Sequence, residues 1–377
     1  MPSMRQHALQ TKMVYLGGFV GPFAAQSMIA VIPDIGVTFG KTVQEAAFAV
    51  SAYMIPFATT MLFSTALVRK LPPHLVVLSA YMATALGSLV CFTAGSWPVF
   101  ITGIVIMSLS NAFTLPVLQV ILREIIPPDE LGQALGTYFA MQSLGNCAAP
   151  LVAGLASIAN WQFMYLAVMA ISLAMVIVGV PPVNPVPKEQ TRRRAAIRPM
   201  IVHILTILAV GMGIIGMGAV LTVHLEGVFG MPASSRGFVI MVGGLAAFFV
   251  ARKIGALVDD YGALRILTMT AVAAAVSIGV MPILPSPIVI AVFWAVAFVA
   301  AQGMQTTVTY SVLRMPGGAS FNSTVLAFRF FGLALTPILI LPIYFKSPVA
   351  GFALPAACLL AALGLQWTQR RQWQQLT

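Results

Sequence analysis

A chain of 377 residues that is 59% hydrophobic and 8% charged is not an ordinary water-soluble domain, in which about a quarter of the residues are charged. Its 20 Lys and Arg against nine Asp and Glu give a net charge of +11. Nucleic-acid binding would need that charge gathered on a soluble domain, and no polar stretch here is long enough to bury a core. Apolar runs of about 20 residues recur from end to end, the length at which a helix crosses a bilayer.

In chain order, the basic segment "MPSMRQHALQTK" leads into a long apolar run with no small-residue cleavage site, so it reads as a retained first span rather than a leader. Twelve spans are predicted, near 13–37, 45–68, 75–93, 97–122, 131–158, 162–180, 201–227, 236–258, 263–284, 287–312, 322–345 and 348–368. With the N-terminus placed in the cytoplasm, sixteen of the 20 cations sort to the cytoplasmic side, among them Arg198, Arg265, Arg314 and Arg370. Lys41, Arg236 and Lys346 fall outside, and Arg329 falls within a span. This is the asymmetry the positive-inside rule demands. It predicts a multi-pass protein of the cytoplasmic membrane with both termini inside, and a basic face that touches anionic lipid.

Between spans 6 and 7 the Pro-rich, basic stretch "PPVNPVPKEQTRRRAAIRP" reads as a cytoplasmic linker, residues 181–200. It separates a six-helix bundle over 1–180 from another over 201–377. The two match at an offset of about 190 residues. "ALVRKLPPHLVVL" at 66–78 lies against "ALVDDYGALRIL" at 256–267, and "ILRE" at 121–124 against "VLRM" at 312–315. "FAMQSLGNCAAP" at 139–150 lies against "LAFRFFGLALTP" at 326–337, and "DIGVTFG" at 34–40 against "EGVFG" at 226–230. Parallel six-span repeats are an architecture of secondary transporters, with the solute bound near the midplane.

At these residues the chain resembles the major facilitator superfamily, and within it the drug–proton antiporter-like efflux branch. The family's cytoplasmic loop signature stands after span 8 as "GALVDDYGALR", with Gly255, Asp259, Gly262 and Arg265. Gly262 suits a tight turn, and Asp259 can latch one conformation by pairing with an arginine or a helix N-terminus. In the first half the same place reads "TALVRKLPPH", where Arg69 replaces the acid. The span 5 antiporter motif reads "GNCAAPLVAG", with Gly145, Pro150 and Gly154 kept and two glycines become alanine. "NWQFMYL" at 160–166 resembles the segment that opens span 6. The branch's span 4 arginine is absent; its place falls near Ile104.

The resemblance implies the fold: an all-α membrane protein of twelve transmembrane helices, in two six-helix halves related by a pseudo-two-fold axis. It also implies that spans 1, 4, 7 and 10 line a central cavity, to which 2, 5, 8 and 11 contribute. Polar residues in the spans are then either cavity lining or interhelical hydrogen-bond glue. They are Gln26, Asn111, Thr114, Gln119, Tyr138, Gln142, Gln302 and Gln305. Met212 stands for a Met- and Phe-rich apolar wall; methionine is soft enough to bind Cu(I), but the 21 methionines read as the adaptable filler of apolar interfaces.

The nine acids all avoid mid-span positions. Asp34 and Glu226, equivalent by the repeat, flank the outer ends of spans 1 and 7, with His224 beside Glu226; these three are the candidates for proton exchange. Arg329 costs about 3 kcal/mol at the middle of a bilayer. It lies near the inner end of span 11, is aligned with Gln142, and is expected to contact Gln142 or a span-end carbonyl.

The expectation is therefore a proton-coupled exporter of small amphipathic or apolar molecules, working by alternating access as a monomer. Its rival is a transporter of an organic anion, with Arg329 as the anion's partner. Neither an enzyme nor a nucleic-acid partner is expected. Metal and cofactor are absent from the reading, since the Cys and His residues hold no ligand spacing and there is no Gly-x4-Gly-Lys-Ser/Thr loop for ATP.

Overall fold

The computed structural model describes residues 4–67, 71–127, 131–184, 197–315, 322–370 and 373; side chains at a few helix ends, Asp259 among them, fall outside that description. Among the described residues there are helices and no strands. Twelve helical stretches are long and apolar enough to cross a membrane. Spans 1–6 are Ala8–Phe39, Val43–Ser64, Pro73–Phe92, Trp97–Ile125, Thr137–Ala156 and Trp161–Val178. Spans 7–12 are Ile197–Phe229, Ala233–Val250, Ala263–Ile283, Pro287–Val312, Thr324–Lys346 and Pro348–Trp367. Large apolar side chains on the outside, such as Ile177 and Phe249, are exposed as lipid-facing residues are.

The chain divides into two compact units, residues 1–188 and 189–377. Residues 185–196, most of the stretch expected as a linker, lie outside the described residues. Each unit packs its own helices in the same pairs. In the first, span 1 packs on spans 4 and 5, span 2 on span 4, and span 3 on spans 4 and 6. In the second, span 7 packs on 10 and 11, span 8 on 10, and span 9 on 10 and 12. The sequence repeat is thus a repeat of helix partners.

Three spans are not the unbroken helices the sequence suggests. Span 1 stops at Gln26, passes through a short 3₁₀ turn at Ile29–Val31, and resumes at Ile32. Pro33 has no N–H for the carbonyl of Ile29, and its ring crowds the preceding turn. Span 7 opens into a π turn at Gly211–Ile215 and span 11 into another at Thr336–Ile340. Glycines in one and Pro337 in the other loosen the ordinary hydrogen-bond ladder. The two π turns are tied by Thr336, whose hydroxyl donates to the Met212 carbonyl at 3.1 Å.

Spans 1 and 7 both end on a glycine in the left-handed region, Gly40 at φ +61° and Gly230 at φ +62°. Each cap N–H returns to the last turn of its helix, a geometry that residues with a Cβ adopt at a cost. These two glycines align in the repeat.

Candidate functional site

Spans 7 and 11 approach closely because glycines face backbone. A Cβ at Gly332 would stand 2.7 Å from the Met212 nitrogen, and one at Gly211 would run into the Arg329 carbonyl. In the first unit Gly145 backs onto the carbonyl of Phe19, with the Phe23 nitrogen 3.2 Å from where a Cβ would be. Leu208 and Met212 are the counterparts of Phe19 and Phe23, and Leu208 is indeed the other backbone against Gly332. The aligned glycines Gly145 and Gly332 therefore have one local purpose in both units: they seat span 5 on span 1, and span 11 on span 7.

That contact fixes Arg329. Its backbone rests on span 7, and its side chain is half-buried and reaches span 10, where Nη1 donates to Gln305 Oε1 at 2.7 Å. The guanidinium carbon lies 4.7 Å from the Phe330 ring centroid. The described partner within this unit is thus Gln305, a side chain rather than a span-end carbonyl; the expected Gln142 belongs to the other unit. An amide oxygen solvates a guanidinium without neutralising it, and no described carboxylate pairs with this one. The charge is held in place by spans 7 and 10, the two spans of this unit that the resemblance assigns to the cavity wall.

The other expected cavity residues separate into two groups. Asn111, Thr114 and Tyr138 are wholly buried and bonded within their own unit. Asn111 Nδ2 donates to the Tyr53 hydroxyl at 2.8 Å, and its Oδ1 lies 3.4 Å from Thr84 Oγ1, joining spans 2, 3 and 4. Thr114 donates to the Asn111 carbonyl and Tyr138 to the Leu115 carbonyl. Gln26, Gln119, Gln142, Gln302 and Gln305 are half-buried, and Met212 is buried beside Gly332.

At the far end of span 7 the helix is unbroken from Met217 to Phe229. Counting back six residues from each cap glycine sets Asp34 opposite His224, and Gly36 opposite Glu226. The expected Asp34–Glu226 equivalence is corrected, because the gaps it needed fall inside continuous helix. His224 is buried in an aromatic box of Phe229, Tyr344 and Phe352, with Nδ1 3.2 Å from the Tyr344 hydroxyl. Its Nε2 is buried without a hydrogen-bond partner among the described residues. Glu226 instead meets Arg236, Oε2 to Nη1 at 3.2 Å. Arg236, on the outer side at the start of the predicted span 8, is 2% exposed in the first turn of that helix. Asp34 lies in the first turn of the resumed helix of span 1.

At the other end, Gly262 turns the chain between spans 8 and 9 at φ +83°, as the loop signature requires. Gly255 lies within the span 8 helix; the Asp259 side chain, on which the latch depends, lies outside the described residues. Arg265 is exposed over the Tyr261 ring. In span 5, Pro150 and Gly154 lie within the helix. In span 6, Asn160 caps the turn at Trp161–Phe163, and Trp161 donates to the Thr38 hydroxyl of span 1 at 2.8 Å.

One polar cluster is not predicted from the sequence, where His203 has no metal-ligand spacing to another Cys or His. His203 is 1% exposed, with Nε2 3.2 Å from Ser311 Oγ and Nδ1 3.1 Å from Gln366 Nε2. Gln366 also donates to Thr206 Oγ1 at 2.7 Å and accepts from Trp373 Nε1 at 3.3 Å. An indole only donates. It therefore fixes the amide orientation of Gln366, and the amide N–H makes Nδ1 of His203 the acceptor and Nε2 the protonated nitrogen. The only sequence signal was a polar residue in each of three apolar spans, 7, 10 and 12.

The Major Facilitator Superfamily model matches residues 14–340. Among curated relatives, the riboflavin transporter RibZ of Clostridioides difficile (strain 630) is 20% identical over 178 residues, 47% of this chain and 39% of that protein. An uncharacterized MFS-type transporter, YcnB of Bacillus subtilis (strain 168), is 22% identical over 164 residues, 43% of this chain and 35% of its own. The match thus spans less than half the length of these two relatives. Among solved structures, the human organic anion transporter MFSD10 superposes with a TM-score of 0.71 at 13% identity, covering 97% of this chain and 100% of that one. A bacterial homolog of the human lysosomal transporter Spinster superposes at 0.69 with 15% identity, covering 100% of this chain and 98% of its own. At such identity they show a shared fold. With twelve spans, repeated helix partners and a family match over most of its length, the chain belongs to the Major Facilitator Superfamily, a family of membrane transporters rather than enzymes.

Proposed function

We propose that this chain is a secondary active transporter of the cytoplasmic membrane whose cargo is a small amphipathic organic anion, moved outward by alternating access. The observation that carries this is the Arg329–Gln305 contact: a guanidinium in a membrane span, placed between spans 7 and 10 and left charged by an amide partner. Ionisable groups within a span mark solute or ion pathways by default, and an arginine fork matches a carboxylate or phosphate.

The expectation of proton-coupled export of small amphipathic or apolar molecules is the second reading, and His224 favours it. The imidazole is buried, meets one hydroxyl and has a second nitrogen without a described partner, which suits a group that takes and releases a proton. Asp34 and Glu226 serve it less well. Asp34 stands at a helix start, and Glu226 has an arginine partner. Both readings place the termini in the cytoplasm and treat the chain as a functional monomer.

Reconstitution into proteoliposomes separates them. Uptake of a panel of organic anions and of neutral apolar dyes is measured with and without a pH gradient. The anion reading expects saturable anion transport that falls at least tenfold in Arg329→Ala. Anion transport unaltered in that variant ends the reading, and dye transport that follows the pH gradient and fails in His224→Gln establishes the second.

A further inference from the structure

The basic end of the second unit carries two adjoining concavities that the transport reading does not use. The larger, of about 700 Å³, is lined by Arg198 at the start of span 7 and by Thr368, Gln369 and Arg370 past the end of span 12. The smaller, of about 350 Å³, runs along the start of span 9, between Tyr261, Leu264, Arg265, Met269 and Trp373. Trp367 lines both. Its indole N–H donates to Thr268 Oγ1 at 3.1 Å, so the ring is a fixed wall between a polar basin and an apolar groove. The basin's floor is also held, with Gln369 Nε2 3.5 Å from the Arg198 carbonyl.

The chemistry of the two differs. The basin offers two exposed guanidinium groups, and neither is ion-paired with a described acid. Asp260, the described acid nearest in sequence to the groove, lines neither cavity. The groove offers aliphatic and aromatic surface, with one further cation, Arg265, at its mouth beside Tyr261. Exposed Trp and Tyr at the ends of spans lie at the depth of lipid headgroups. A free phosphate would use the basin and leave the groove empty. A molecule with a phosphodiester and an apolar tail would use both, and basic pockets between spans at this face are where acidic headgroups bind.

We propose that this end of the second unit is a binding site for an anionic phospholipid, its phosphate held by Arg198 and Arg370 and an acyl chain laid past Trp367 along Leu264 and Met269. The site does not depend on the identity of the cargo or on the role of Arg329.

Native mass spectrometry of the purified full chain in detergent, titrated with phosphatidylglycerol or phosphatidylcholine, tests it. The intact protein is expected to bind phosphatidylglycerol at least fivefold more tightly than phosphatidylcholine. Arg198→Gln with Arg370→Gln is expected to remove that preference while leaving phosphatidylcholine binding unchanged. Lys41→Gln with Lys346→Gln, at the opposite ends of the spans, is expected to keep it. Inorganic phosphate at millimolar concentration is expected not to displace the lipid. Equal affinity for the two lipids, or a preference that survives the double arginine change, overturns the proposal. Displacement by phosphate overturns the lipid as its occupant.

Discussion

Arg236 and Glu226 form an ion pair across the turn between spans 7 and 8, with the arginine side chain 3% exposed and the glutamate 42% exposed. A charge that the sequence places only at the outer start of a span is thus an anchor between two helices. Glu226→Gln leaves the buried guanidinium short of its counter-charge, at a cost of about 1–3 kcal/mol. The i,i+4 pair Lys41–Glu45 at 3.7 Å is exposed, so solvent screens it and it contributes little. Thermal unfolding in detergent should therefore fall clearly for Glu226→Gln and hardly at all for Lys41→Gln. Equal shifts would show the Arg236–Glu226 pair to be energetically idle.

Gln305 decides whether Arg329 is available. Gln305→Glu sets a carboxylate where the amide now accepts at 2.7 Å, closing an ion pair and cancelling the positive charge. Anion transport in proteoliposomes should drop about as far as in Arg329→Ala, while thermal stability holds or rises. Transport that persists in Gln305→Glu would show that the cargo does not read this charge.

Gly145 and Gly332 should behave alike, although they lie in different units. Alanine at either position drives a Cβ into the backbone of span 1 or span 7, and overpacking of this kind costs about 1–3 kcal/mol. Both variants should lose monodisperse protein on size-exclusion chromatography after extraction. Gly227→Ala is the control: a Cβ there meets nothing within 4 Å, and helix propensity favours the change. A well-behaved Gly332→Ala would contradict the close approach of spans 7 and 11.

The His203 cluster predicts an order of damage. Gln366→Leu strips hydrogen bonds from His203, Thr206 and Trp373 together, whereas Ser311→Ala removes one. At about 1–3 kcal/mol for each buried polar group left unsatisfied, Gln366→Leu should lower the unfolding temperature by more. Tryptophan fluorescence reads the change directly, because Trp373 is one of the partners. A Ser311→Ala effect as large as that of Gln366→Leu would remove Gln366 as the centre of the cluster.

Much of the fold was legible because a bilayer allows few answers. Apolar length alone located twelve spans to within several residues, since only a helix satisfies its own backbone in lipid. Gly40 aligned with Gly230, and Gly145 with Gly332, because a left-handed turn and a backbone-to-backbone contact each demand glycine whatever surrounds them. Where the pattern was degenerate, it failed. A gapped match paired Asp34 with Glu226, and only an unbroken helix from Met217 to Phe229 could reveal the true counterpart as His224.

The sequence by itself determined that this chain crosses a membrane twelve times, repeats a six-span unit and carries Arg329 inside a span. Tertiary structure alone decided what the polar residues do. Asn111 and Gln305 are similar amides in equivalent spans, yet one is wholly buried among Tyr53 and Thr84, and the other holds Arg329. Hydropathy records the cost of placing such a group in lipid. Its partner is set by which helix face meets which, and that is decided by packing between residues far apart in the chain.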